Sequence, residues 1–254
     1  MEALLSLSHV SFSYHTVDGE TLALSDINFS VNSGEFAAIV GPSGCGKSTL
    51  LSLICGLIQP ESGEIRMTGR RMDPSRGIGY MLQRDHLFEW RSVYDNILLG
   101  LEIQKKLTPQ NINRVDRMLE TYGLSSFARM KPQALSGGMK QRAALIRTLA
   151  LDPDLLLLDE PFSALDYQTR LEVTDDIGTI IRREGKTAIL VTHDLSEAIS
   201  MADRIIILSR RPGAVKQILT VSFPEGYDTP LKKRNSEEFS HYFNLIWKEL
   251  KSHG

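Results

Sequence analysis

Gly41-Pro42-Ser43-Gly44-Cys45-Gly46-Lys47-Ser48 sets three glycines ahead of a lysine and a hydroxyl, in the spacing G-x-x-x-x-G-K-[ST]. Glycine backbone can curl there into a concave loop whose N–H groups point inward at phosphate oxygens. A helix opening directly behind the loop adds the partial positive charge of its N-terminus. Lys47 supplies a mobile cation for β- and γ-phosphates, and the Ser48 hydroxyl is suited to Mg²⁺. The expected nucleotide contacts are Gly41, Pro42, Ser43, Gly44, Cys45, Gly46, Lys47, Ser48 and Thr49. A glycine-rich turn that binds nothing would not need a buried-strand run, Phe36–Val40, before it and an apolar helical run, Thr49–Cys55, after it. The loop alone does not separate kinases, GTPases and motors.

A second acidic element is Leu155-Leu156-Leu157-Leu158-Asp159-Glu160. An apolar strand delivers two adjacent carboxylates at its C-terminal end, where open α/β sheets bind ligands. Asp159 is expected to hold Mg²⁺, directly or through water, and Glu160 to polarise the attacking water as general base. In isolation such a pair before Pro161 reads equally well as capping acids. His193 follows another apolar run, Ala188-Ile189-Leu190-Val191-Thr192, and is expected to contact the γ-phosphate. Gln83, after Ile78-Gly79-Tyr80-Met81-Leu82, is positioned to reach the metal or the water, although glutamine at a strand end carries little weight by itself.

The elements that must hold these groups follow from periodicity. Leu5–Tyr14 and Leu22–Val31 alternate as half-buried antiparallel strands do. Ile78–Leu82, Leu155–Asp159, Thr187–His193 and Arg204–Ser209 read as further strands, and Tyr167–Glu184 as a crossover helix, which implies a parallel sheet. Val93–Ile103 and Ile112–Tyr122 carry helical spacing, with Gly123 placed as a C-cap. Residues 226–234 read as a polar linker. Asn235–Lys251 then aligns Phe239, Tyr242, Phe243, Ile246 and Leu250 on one helical face, with Asn235 as cap and Glu238 as its reciprocal partner. That stripe suits packing on the domain better than a membrane surface.

Composition narrows the class. The 254 residues, at 42% hydrophobic and 24% charged, suit a globular chain with one sizeable core or a core plus a smaller lobe. A formal charge of −2 gives no electrostatic reason to bind nucleic acid. The N-terminus alternates like a strand and has no basic segment of a signal peptide. No uncharged apolar run approaches the ~18–20 residues that span a bilayer, so a membrane is reached by docking on another chain. Ten residues of helix would hold Cys45 and Cys55 roughly 15 Å apart, beyond disulfide reach, which fits a reducing compartment.

Leu135-Ser136-Gly137-Gly138-Met139-Lys140-Gln141-Arg142 resembles the LSGGQ signature of ABC transporter ATPases and lies upstream of the acidic strand, as in that family. With Gln83, Ser163-Ala164-Leu165-Asp166 and His193 in the family order, the resemblance spans Tyr14 to His193. Ser136, Gly137 and Gly138 open a helix over Met139–Leu149 and form a second anion-binding terminus. The resemblance implies an α/β P-loop NTPase (RecA-like) core with an N-terminal antiparallel β subdomain and an inserted helical subdomain. It implies a core over residues 1–89 and 151–211, a helical lobe over 90–150 and a C-terminal extension over 212–254. It further implies ATP and Mg²⁺ as ligands, with Ser48, Gln83 and Asp159 on the metal. Tyr14 stands where the family keeps the aromatic that stacks on adenine, and Met139 replaces the signature's final glutamine. Two copies are expected to pair head to tail, each ATP lying between one loop and the partner copy's signature.

Trp90-Arg91-Ser92-Val93-Tyr94-Asp95-Asn96-Ile97, Leu165–Arg170 and Ser209–Gly213 resemble the nitrate/sulfonate/taurine group of bacterial importers. That resemblance implies a permease docked near Gln83–Ile97 at the cytoplasmic face of the membrane, with an extracellular binding protein acting indirectly. Core burial is the alternative for Phe88, Trp90 and Val93. A soluble ABC ATPase of repair or translation would usually carry a long coiled-coil insertion or tandem cassettes, neither of which is visible. An ATP-sensing regulator would not need Glu160 and His193.

Overall fold

The computed structural model describes residues 3–17, 19–68, 70–71 and 77–251. Two sheets form from strands of different character. β1 (Ala3–Thr16) and β2 (Gly19–Asn32) are long antiparallel partners, and β4 (Ser62–Met67) and the short β5 (Arg70–Arg71) extend them in the order β2-β1-β4-β5. The second sheet runs β10 (Val215–Thr220), β9 (Arg204–Leu208), β3 (Phe36–Val40), β8 (Thr187–Val191), β7 (Leu155–Asp159), β6 (Ile78–Met81). From β9 to β6 its neighbours are parallel; β10 alone runs antiparallel, so the expected parallel sheet has a reversed edge.

The central strands are apolar at every position because both their faces are covered. Side chains alternate across a strand, and the core divides accordingly. Ala37, Ile39, Leu155, Leu157, Ile189 and Val191 face a core shared with the antiparallel sheet and with α1 (Lys47–Ile54). Phe36, Ala38, Val40, Leu156, Leu158, Ala188 and Leu190 face the other core, built with α2 (Val93–Ile103), α3 (Pro109–Thr121), α4 (Gly137–Leu149), α5 (Tyr167–Arg183) and α6 (Leu195–Met201). Burying both faces of Leu155–Leu158 is what a run of four leucines is for.

Several boundaries differ from the sequence reading. β8 ends at Val191, because Thr192 and His193 turn out of the sheet, and β9 and β6 each stop one residue early. α3 begins at Pro109, where the Thr108 hydroxyl accepts from the Asn111 N–H, and α4 begins at Gly137 rather than Met139. β4, with charges at Glu64 and Arg66, and β10, with Lys216 and Gln217 beside each other, gave no apolar run to find. The supposed linker contains α7 (Pro230–Arg234), capped by Thr229. Asn235 closes that helix instead of opening α8 (Glu237–Lys251); the hydroxyl of Ser236, 3.2 Å from the Phe239 N–H, does so. The stripe on α8 packs as expected: Ile246 is fully buried, and Phe239, Tyr242, Phe243 and Leu250 lie against the same core.

Candidate nucleotide site

β3 ends at Val40, and the chain turns through residues 41–46 directly into α1. Gly46 precedes the helix at φ 100°, a left-handed conformation that favours glycine. A Cβ there would also lie 2.6 Å from the Leu24 side chain. No side chain caps α1, so its first N–H groups are left to whatever occupies the loop. The Lys47 ammonium is buried within the loop and donates to the carbonyls of Gly41 (2.9 Å) and Pro42 (3.1 Å). Burial pushes the Cys45 thiol up from its usual range, consistent with a packing role.

A cavity of about 610 Å³ opens over this loop. Its walls carry Ser43, Gly44, Gly46, Lys47, Ser48 and Thr49, together with Tyr14, Glu160 and His193. Tyr14, from the far end of β1, is half exposed and its hydroxyl is 3.0 Å from the Thr49 hydroxyl. Of the loop residues expected at the nucleotide, Gly41, Pro42 and Cys45 do not line the cavity; Cys45 is buried and Pro42 faces a small neighbouring hollow. These residues contribute backbone and shape to the loop.

The acidic strand end sits beside this loop. Asp159 accepts from the Tyr80 hydroxyl at 3.1 Å, and burial raises its carboxyl above the usual range. Glu160 takes a left-handed backbone (φ 44°) held by its N–H to the Val191 carbonyl, 2.8 Å. Its Oε2 then lies 3.1 Å from His193 Nδ1, a carboxylate–imidazole pair at the edge of the cavity. Gln83 is exposed and reaches the turn that follows Glu160: its Nε2 donates to Ser163 Oγ (3.2 Å), which donates to the Glu160 carbonyl (2.9 Å). Ser48, Asp159 and Gln83 each offer an oxygen donor, the ligand type a hard divalent cation such as Mg²⁺ takes, but of the three only Ser48 lines the cavity.

The turn carrying His193 is tied on both sides by residues that spacing alone did not single out. Thr192 donates through its hydroxyl to buried Glu197 (2.6 Å) and accepts from the Asp194 N–H (3.0 Å). Asp194 caps α6 and pairs with Arg170 at 3.6 Å, while Arg170 also donates to the Leu165 carbonyl at 2.9 Å. Arg170 thus bridges the segment after Glu160 to the His193 turn. Apart from the acid at the third helical position of α6 and the Asp cap, no sequence signal marked this brace.

Ser136 caps α4, its hydroxyl accepting from the Met139 N–H at 3.3 Å. Gly138 packs where a Cβ would meet Val173 on α5 at 2.6 Å, so this helix start must be small. Ser136 and Gly137 are exposed, and none of Ser136–Gly138 lines the cavity over the phosphate loop. The two helix starts expected to bind anions therefore do not share a cavity within one chain. On the segment expected to dock, Val93 is fully buried, as core burial would have it, whereas Trp90 is 71% and Phe88 37% exposed, their rings 4.7 Å apart.

Comparison with known proteins agrees with this geometry. Residues 24–163 match the family model for the ABC transporter. An uncharacterised ABC transporter ATP-binding protein of Bacillus subtilis, YtlC, is 45% identical over 98% of this chain and 96% of its own length. The nitrate import ATP-binding protein NrtD of Synechocystis sp. is 40% identical (90% of this chain, 88% of its own). The taurine import ATP-binding protein TauB of Roseobacter denitrificans is 36% identical (96% and 94%). Among solved structures, cbiO1 of Clostridium perfringens, part of the transporter complex cbiONQ, superposes with a TM-score of 0.78 at 28% identity over 98% of both chains. The cassette MJ0796, as a dimer in a post-hydrolysis state with ADP and Pi, gives 0.71 at 30% identity, covering 87% of this chain and all of its own. The chain belongs to the ABC transporter ATP-binding family and is one of its ATPases.

Proposed function

We propose that this chain is the ATP-hydrolysing subunit of a bacterial importer, working as one half of a head-to-tail dimer. The observation that carries this reading is the Glu160–His193 pair at 3.1 Å on the wall of the cavity that the phosphate loop floors. Loop N–H groups and the free start of α1 bind the phosphates, and Lys47 leaves the Gly41 and Pro42 carbonyls to meet the β- and γ-phosphates. Tyr14 lies against the base. Ser48, Asp159 and Gln83 would hold Mg²⁺, which would supply neutralisation of the phosphate charge. Glu160 takes the proton of the attacking water, and His193 holds that carboxylate in place and faces the γ-phosphate.

The signature surface of Ser136, Gly137 and Gly138 closes the site of a second copy, because within its own chain it lies outside the cavity. Residues 1–89 and 151–211 act as the core, 90–150 as the lobe that carries this surface, and 212–254 as an extension. Hydrolysis removes the phosphate both copies grip, so the interface loosens and chemistry becomes motion. Among the described residues no helix is long and apolar enough to cross a membrane. The chain works at the cytoplasmic face, with exposed Phe88 and Trp90 against a permease and a substrate-binding protein outside. Likeness to NrtD and TauB favours a small anion or zwitterion, nitrate, a sulfonate or taurine, as cargo.

Replacing Glu160 by Gln keeps the hydrogen bonds and removes the base. The variant should accumulate as an ATP-bound dimer in light scattering, with turnover reduced by roughly 10²-fold or more. Normal turnover in that variant would remove Glu160 as the base.

A further inference from the structure

Between β9 and β10 the chain makes a short strap, residues 209–213, that packs on the phosphate loop. Ser209 braces it internally: its N–H donates to the Ala214 carbonyl (2.9 Å), and its hydroxyl donates to the Pro212 carbonyl (3.1 Å) and accepts from the Ala214 N–H (2.9 Å). Gly213 then pairs beside β2, its N–H donating to the Ala23 carbonyl and its carbonyl accepting from the Ser25 N–H, both 2.9 Å. A Cβ at Gly213 would come within 2.1 Å of the Cys45 carbonyl oxygen, so the strap lies backbone to backbone on the loop. Strap, β2 edge and phosphate loop form one interlocked wall.

Arg211 projects from this strap into the cavity already described, alongside Tyr14 and Ala23. Its Nε donates to the Leu22 carbonyl at 3.4 Å. Leu22 pairs with Ser13, next to the pair of Tyr14 and Thr21, so this anchor lies at the end of the cavity that carries Tyr14. Glu160 and His193 arrive instead from the ends of β7 and β8. With Nε turned to a carbonyl, the terminal nitrogens of the guanidinium remain as a planar donor fork that can stack on a ring or donate to its acceptors.

We propose that Arg211 is a nucleotide-binding residue that grips the adenosine end of ATP, at the end of the cavity that carries Tyr14. This rests on the nucleotide-site reading above and adds a second recognition element to it, one delivered by the strap rather than by the phosphate loop. Arg211 contributes affinity and not chemistry, since the reacting phosphate lies toward Glu160.

The test compares Arg211→Ala and Arg211→Lys with the wild type, using titration with ATP, competition by inorganic tripolyphosphate, and steady-state hydrolysis. The side chain is exposed, and an unchanged melting temperature checks that the fold is kept. Arg211→Ala should weaken ATP binding and raise KM roughly five- to tenfold while kcat at saturating ATP and tripolyphosphate affinity stay at wild-type values. Arg211→Lys should fall between, having the charge without the planar fork. Equal losses for ATP and tripolyphosphate would overturn the assignment, placing Arg211 on the phosphates; unchanged ATP affinity would overturn it outright. If the wild type itself bound no ATP, the nucleotide-site reading would fall, and this assignment with it.

Discussion

Thr192 and Glu197 show how a catalytic-type histidine is held by residues that never touch its ring. Burial lifts the Glu197 carboxyl to about 7, with Asp194 adding to the rise and Thr192, Arg170 and Arg234 opposing it. The folded state therefore keeps a proton that the unfolded chain loses near 4.5. Between those two values the folded state binds more protons, so stability falls as pH rises through that window. Gln at this position still accepts the Thr192 hydroxyl and cannot ionise. Glu197→Gln should match the wild type near pH 5 and exceed it by on the order of 1–2 kcal/mol at pH 8. In thermal melts that is a gain of about 2–6 °C at the higher pH only. An equal loss at both pH values would show that the carboxylate, ionised, is what the fold needs.

Among the elements, the end of the chain separates propensity from placement. Asn235 and Glu238 have the spacing of a reciprocal cap, yet Asn235 is spent on closing α7 and the cap passes to Ser236. What decides this is α7 itself, begun by Thr229 and Pro230 and packed on α5 and α6. Ser236→Ala should cost about 1 kcal/mol in chemical denaturation, and Asn235→Ala no more than a few tenths. The reverse order would restore the cap to Asn235. β4 and β10 were hidden for a related reason. Their polar and half-exposed residues pair, inside the antiparallel sheet for β4 and at the edge of the second sheet for β10, through backbone bonds that side-chain periodicity does not report.

For the molecule as a whole, the useful contrast lies between what is buried within one chain and what is left for others. Val93 and Ile97 disappear into the core, while Phe88 and Trp90, a few residues earlier, remain exposed with their rings tilted against each other at 31°. Asn96 holds that hairpin-like turn, donating to the Phe88 carbonyl (3.0 Å) and accepting from the Phe88 N–H (2.6 Å). Arg147 on α4 grips the carbonyls of Asp85 and His86 (2.7 and 2.8 Å), so the segment is joined to the helix that starts at the signature. The double variant Phe88→Ala and Trp90→Ala should keep its melting temperature within about 1–2 °C, since exposed side chains contribute little to stability. Co-purification with the permease from native membranes should be lost. Full retention of the permease would move the docking surface elsewhere.

The residues that could do chemistry were legible without coordinates because each motif is short and local. Gly41–Thr49 carries its own turn geometry, and Leu155–Glu160 announces a strand buried on both faces and ending in acid. The α/β class followed from the same periodicities. Tertiary structure decided what lies between motifs. It set Glu160 against His193 through the pairing of β7 with β8, and it braced that turn through Arg170 and Glu197. It folded a turn after β9 back onto the phosphate loop, so that Arg211 reaches the nucleotide cavity. Those contacts join residues distant in sequence, and local spacing holds no record of which distant side chain a fold will bring alongside.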